Sequence, residues 1–284
     1  MTTAITRPAL LLRDFSLEMT GKDAAEVIDA RGAIPPGTRI NVTFLGNEDL
    51  PMRRAAARTV REQGFVPVPH VSARRLTSCE DLKEFLAALS ADGTQKEIFA
   101  VGGDPAEPHG PFPDALSLIE SGLLEDFAVR RVSVAGYPEG HPDIADSALW
   151  SALKEKSTAL QAHGLAGEII TQFGFDVDPV LDWIARVREL GIDLPVRVGV
   201  PGPAGVRRLM RYAARFGVGT SASIAKKYGL SLTNLMGTAG PEKFLRALAT
   251  DYHPDVHGQV KLHFYTFGGL RATSDWIHDF RKAS

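Results

Sequence analysis

Short apolar runs, rich in β-branched and aromatic residues, alternate with longer amphipathic stretches from one end of the chain to the other. Eight such runs stand out: Phe15–Met19, Ile40–Phe44, Val66–Val71, Ile98–Val101, Val132–Tyr137, Ile169–Phe175, Val196–Val200 and Val260–Thr266. Runs of this length and makeup predict strands buried on both faces. The stretches between them have helical spacing. Asp49–Glu62 gathers its apolar residues on one side and its arginines on the other. Asp178–Leu190 sets Leu181, Ile184, Val187 and Leu190 on one stripe, and Gly191 follows as a stop. Strand–helix alternation repeated in this way predicts an α/β fold, a (β/α)8 TIM-type barrel. We expect one catalytic domain over residues 1–284, with residues 1–14 a short N-terminal extension. An open doubly wound sheet fits less well. Its glycine-rich turn is missing, since Glu18-Met19-Thr20-Gly21-Lys22 after the first strand holds one glycine, and no phosphate-binding P-loop occurs.

Composition narrows the function classes. The 284 residues are 44% hydrophobic and 23% charged, which excludes disorder and fibrous repeats. Lys+Arg 32 against Asp+Glu 34 leaves a net charge of -2, and basic residues cluster in nothing longer than pairs, so nucleic acid is not expected as a partner. A single cysteine, Cys79, excludes an internal disulfide and reads as the start of a helix rather than a reactive thiol. No apolar run approaches the roughly 20 residues of a membrane span, and Ala9–Leu12 makes a poor signal peptide. The expected location is the cytoplasm, away from membranes. Self-association is left open.

In a barrel the chemistry gathers at the C-terminal strand ends. The polar residues expected there are Glu18, Thr43 with Asn47, His70, Asp104, Tyr137 with Glu139 and His141, Gln172 with Asp176, and Tyr265. Any one of them could merely cap a helix, but the bland reading must hold separately at every strand. Glu18 is flanked by Phe15, Leu17 and Met19, and a carboxyl desolvated there suits a general acid; a salt bridge to a neighbouring strand is an equal alternative. Gly102-Gly103-Asp104-Pro105 would let backbone approach a flat ligand, or simply form a tight turn. Tyr137-Pro138-Glu139-Gly140-His141-Pro142 lacks the partners a metal would need, so no metal is expected. Lys154 and Lys156 lie on a helix, where they line a phosphate or form a solvated face.

Taken in order, Glu18, Gly102-Gly103-Asp104, the Ala135–Pro142 segment, Thr171-Gln172-Phe173-Gly174-Phe175-Asp176 and His263-Phe264-Tyr265-Thr266 resemble the methylenetetrahydrofolate reductase family, from about Phe15 to the end. The resemblance implies a flavoprotein barrel of one-carbon metabolism that serves methionine biosynthesis. Such an oxidoreductase reduces 5,10-methylenetetrahydrofolate to 5-methyltetrahydrofolate, with FAD as cofactor and NADH or NADPH as co-substrate. Glu18 matches the family's acid, and Asp104 the aspartate near pterin and flavin. Gln172 matches the glutamine on the folate, and Tyr265 is placed with the substrate. Thr43, His70, Gly103, Asp104, Ala135, Tyr137, His141 and Lys156 fall at FAD-holding positions. The chain also departs from the pattern. Gly102 replaces an arginine, Leu149 an aspartate and Gly174 a phenylalanine, while Tyr212 and Arg208 stand roughly where a phenylalanine and a glutamine meet folate or nicotinamide. Two alternatives are the same interconversion run in the oxidising direction after a demethylase, and a flavin-independent folate-binding barrel.

Overall fold

A computed structural model describes residues 7–215 and 238–283 of the chain. The eight predicted strands form at the expected places: β1 (Ser16–Met19), β2 (Arg39–Val42), β3 (Val66–Ser72), β4 (Glu97–Val101), β5 (Arg131–Gly136), β6 (Ala166–Phe173), β7 (Val196–Pro201) and, last in the chain, β10 (Val260–Tyr265). They close into a parallel barrel in which β10 pairs with both β7 and β1. A two-residue antiparallel ribbon, β8 (Ala204–Gly205) with β9 (Thr238–Ala239), lies outside the barrel sheet. No described helix is long and apolar enough to cross a membrane.

Alternation along each strand decides what goes where. Leu17, Ile40, Ile98, Val132, Ile169, Val198 and Leu262 are buried in the main core shared with the helices. Residues of the opposite parity fill the lumen, where Val68, Phe99 and Ile170 form a separate apolar plug, with Val101 and Ala135 against it. The helices follow local signals. Leu50–Glu62 is capped by Asp49, whose carboxylate accepts from Met52 N at 2.8 Å, and it buries Ala56, Ala57 and Val60. The stripe predicted at 178–190 is the helix Val177–Glu189, and Gly191 beyond it takes the left-handed conformation at φ 73°.

The N-terminal end of the barrel is closed by charges. Arg197 is 1% exposed and donates through Nε to Glu168 at 2.9 Å and through Nη1 to the Asp14 carbonyl at 2.6 Å. Glu168 also accepts from Ser133 Oγ at 3.0 Å, and Arg39 lies 2.8 Å from Glu97 and 3.5 Å from Asp14. Of the expected extension, residues 1–6 lie outside the described residues; the rest forms the short helix Arg7–Leu11 and packs here. Leu12 is fully buried, and Arg281 donates to its carbonyl.

Candidate active site

At the opposite, C-terminal end the lumen opens into a cavity of about 540 Å³. Strand ends and the loops after them supply its walls, as barrel geometry requires. Glu18, Thr43, His70, Tyr137, Gln172 and Tyr265, singled out from strand-end position, line it together with Ala135, which the family resemblance pointed to. So do Arg208 and Tyr212 from the helix Val206–Arg215.

Glu18 sits at the centre of the polar contacts. Its register puts it beside Asn41 on β2 and Tyr265 on β10, and its carbonyl accepts from Thr266 Oγ1 at 2.5 Å. Its carboxyl oxygen Oε2 lies 3.4 Å from His263 Nε2 and 3.8 Å from His70 Nε2. The salt bridge to a strand lysine or arginine, weighed as the alternative, does not form among the described residues; both ionic partners are histidines. Burial holds the His70 imidazole down at about 4, against the pull of Glu18, so the ring is neutral at pH 7. Tyr265 is pushed well above the ordinary phenol range by burial and by Glu18, and its hydroxyl donates to the Thr171 carbonyl at 3.0 Å.

The far wall is built by a bulge. The β6–β7 register shifts between Ile170 and Phe173, and a Cβ at Gly199 would stand 2.4 Å from the Thr171 carbonyl oxygen, so only glycine fits there. This shift accompanies the placing of Gln172 on the cavity, with its Oε1 accepting from Phe173 N at 3.1 Å. Tyr212 stacks on Phe267 at 4.1 Å and 12°, so one ring face is already taken. Arg208 donates through Nη1 to the Phe267 carbonyl at 2.7 Å, which ties it to the cavity rim.

Seven predicted residues stand off the cavity wall: Asn47, Gly103, Asp104, Glu139, His141, Lys156 and Asp176. The Asp104 side chain is 69% exposed and receives Arg75 Nε at 2.9 Å. Gly103 adopts φ 97° against Ser72, whose Oγ a Cβ would meet at 2.2 Å; its freedom serves the turn. His141 packs edge-on to Tyr137 at 5.4 Å and accepts from Asp143 N through Nδ1 at 3.1 Å. Lys156, on the helix Asp146–Ala162, is held down at about 8 by burial, while Asp114 pulls it back up. No cluster of His, Cys, Asp or Glu suited to a metal occurs among the described residues. Sequence reasoning passed over His263, Phe44, Asp23, Glu26 and Phe267. His263 was visible as an inward position two residues before Tyr265 on the same strand, whereas the loop residues carried no periodic signal.

The fold and site together define a (β/α)8 barrel with a carboxyl–imidazole centre at the catalytic end of its lumen. The family model of methylenetetrahydrofolate reductase matches residues 25–274, and the chain belongs to that family. The 5,10-methylenetetrahydrofolate reductase of Salmonella typhimurium is 28% identical over 235 residues, covering 80% of this chain and 75% of that protein. Methylenetetrahydrofolate reductase 2 of Saccharomyces cerevisiae is 33% identical over 115 residues, 37% of this chain. A probable methylenetetrahydrofolate reductase (NADH) of Oryza sativa is 30% identical over 135 residues, 43% of this chain. The matched region spans only 18% and 22% of those two longer proteins. Among solved structures, a Clostridium thermocellum protein described as binding two copies of 5-methyl-5,6,7,8-tetrahydrofolic acid shares the fold, with a TM-score of 0.60, 9% identity and 98% coverage of both chains.

Proposed function

We propose that the cavity interconverts 5,10-methylenetetrahydrofolate and 5-methyltetrahydrofolate, with reducing equivalents drawn from NADH or NADPH. The observation that carries this reading is Glu18 at the cavity floor, set between two imidazoles with no lysine or arginine among its described ionic partners. Opening the imidazolidine ring needs a proton on the departing nitrogen, and a carboxyl at this place can supply it. The C–N bond then breaks toward the protonated nitrogen, and the iminium carbon left behind accepts hydride to become the methyl group. Gln172, Tyr265, Tyr212 and Arg208 hold the folate in this reading, and Phe99, Ile170 and Val101 keep water from the floor.

The residues fit the ring system of a flavin. Thr43 Oγ1 is buried and has no hydrogen-bond partner in the structure, and it faces the same cavity as His70, Ala135 and Tyr137. Bound there, FAD supplies two-electron hydride chemistry between nicotinamide and folate. In this reading His141 and Lys156 would help to hold the cofactor from outside the cavity wall.

One observation favours a second reading, in which folate and nicotinamide meet without flavin. The guanidinium groups nearest the Gly102–Asp104 turn are committed within the protein, Arg75 to Asp104 and Arg74 to the carbonyls of Pro113, Pro105 and Ala106. Purification followed by absorbance and NAD(P)H oxidation assays separates the readings. A yellow protein active on methylenetetrahydrofolate supports the first, and a colourless active one the second. A protein inactive on the folate in either direction, with added FAD, rejects both.

A further inference from the structure

We propose that Arg75 is the seat for the cofactor's diphosphate, and that Asp104 occupies this seat until the dinucleotide displaces it. The inference rests on the flavin reading, and it names a residue for the place where Gly102 stands instead of an arginine. A Cβ at Gly102 would meet nothing within 4 Å, so the end of β4 has open space beside it. The loop after β3 runs alongside. Arg74 N donates to the Gly102 carbonyl at 2.9 Å, and Arg75 reaches Asp104 two residues further on. Arg75 closes the single 3-10 turn Ala73–Arg75. Its guanidinium rests against Gly46 of the loop after β2, where a Cβ would come within 2.6 Å of Nη2.

The two arginines of this loop are held differently. Arg74 donates to the carbonyls of Pro113, Pro105 and Ala106, backbone groups that cannot turn away, so it is a strut. Arg75 gives Nε and Nη2 to one oxygen, Asp104 Oδ1, at 2.9 and 2.5 Å. The Arg75 side chain is 16% exposed and that of Asp104 is 69% exposed. A pair with one partner in solvent is weak, whereas a guanidinium on a phosphate makes charge-assisted and often bidentate bonds. Asp104 can swing its carboxylate into water and leave the fork of Arg75 in place. The seat also lies on a course open to an anion. Phe44, whose ring centre is 5.6 Å from the Arg75 guanidinium carbon, lines the cavity next to Thr43. Lys156, held down by burial, feels the pull of Asp114, so Arg75 and Lys156 are both drawn to carboxylates of the 102–114 segment. On the β1 side Asp23 and Glu26 line the cavity and repel a diphosphate, and Arg208 is tied to Phe267 on the folate side.

The test is equilibrium binding to the whole protein freed of flavin, read by quenching of flavin fluorescence, with FAD and riboflavin as separate probes. Riboflavin carries the same ring system and no phosphate. Arg75→Ala is expected to weaken FAD about tenfold or more and to leave riboflavin within about twofold of the parent. Arg75→Lys keeps the charge without the fork and should fall between. Asp104→Asn should act in the opposite direction, tightening FAD by up to about fivefold, because the seat then has no competitor. A merely structural pair would weaken both flavins alike in every variant. Unchanged FAD affinity in Arg75→Ala, or an equal loss for FAD and riboflavin, overturns the proposal. So does an Asp104→Asn protein that binds FAD no tighter than the parent. If Arg75→Ala folds poorly, Arg75→Lys and Asp104→Asn decide the matter with the same two probes. A parent that binds neither flavin rejects the flavin reading and the seat with it, whereas one that binds FAD and riboflavin equally tightly keeps that reading and rejects the seat alone.

Discussion

The two ends of the barrel lumen both hold buried charge, and they use it differently. At the N-terminal end Arg197, Arg39 and Lys261 meet Glu168, Asp14 and Glu97 at 2.8–3.5 Å. Each of these charges has a permanent opposite. At the C-terminal end Glu18 faces imidazoles whose charge depends on protonation, beside about 540 Å³ of open space. A carboxylate locked to a guanidinium cannot trade its proton; one set between imidazoles can. On the proposed reading the same residue type is structural at one end of the lumen and chemical at the other, and its neighbours decide which.

The sharpest way to break this contrast is to neutralise Glu18. Glu18→Gln keeps the shape, and we expect folate turnover to fall by a factor on the order of 10²–10⁴, while the melting temperature stays near that of the parent. A rate close to the parent's in stopped-flow measurement would remove Glu18 from the role of acid. At the other end, Arg197→Ala strands Glu168 without its buried partner. Breaking such a pair costs about 3–5 kcal/mol. Urea unfolding should show that loss, with activity per folded molecule retained below the new transition.

Acid should expose the buried imidazole next. His70 takes up its proton near 4 in the folded protein but near 6.5 when unfolded. The unfolded chain therefore binds more protons between these values, and stability falls as pH drops from about 6.5 to 4, by about 3 kcal/mol at the low end. His70→Asn should flatten that part of the stability curve; an unchanged slope would assign it to other groups.

Two smaller effects sharpen the rim. Arg208→Ala should raise the KM for one anionic substrate a few-fold with little change in kcat, as loss of uniform binding does. KM values unchanged for folate and for nicotinamide would leave Arg208 with only its contact to Phe267. Arg75→Ala opens an exposed pair, so stability should shift by less than about 1 kcal/mol. If Asp104 serves the flavin or pterin once released, FAD retention or folate KM will move in that variant, and calorimetric titration reads either.

Much of the frame was legible in the chain. The apolar runs from Phe15 to Thr266 marked every barrel strand, because a strand buried on both faces must be apolar wherever it meets helices. Strand-end position was a good guide to Glu18, Thr43, His70, Tyr137, Gln172 and Tyr265, since parallel closure brings all such ends to one rim. It was a poor guide to Asp104 and His141. Both follow their strands by several residues, and the loops carry them off the cavity wall.

What the sequence by itself determined is therefore the period and the rim: the alternation that makes a (β/α)8 barrel, and the set of residues delivered to its catalytic end. Tertiary structure alone decided who faces whom. Ser16, His263, Glu18 and His70 form a chain of contacts although 247 positions separate the first two, because closure of β10 onto β1 joins the two ends of the sheet. Likewise Arg75 reaches Asp104 across 29 positions and becomes a partner rather than a free clamp. Periodicity is a local property of a strand, but the protonation and pairing of a charge depend on neighbours that only the closed barrel supplies.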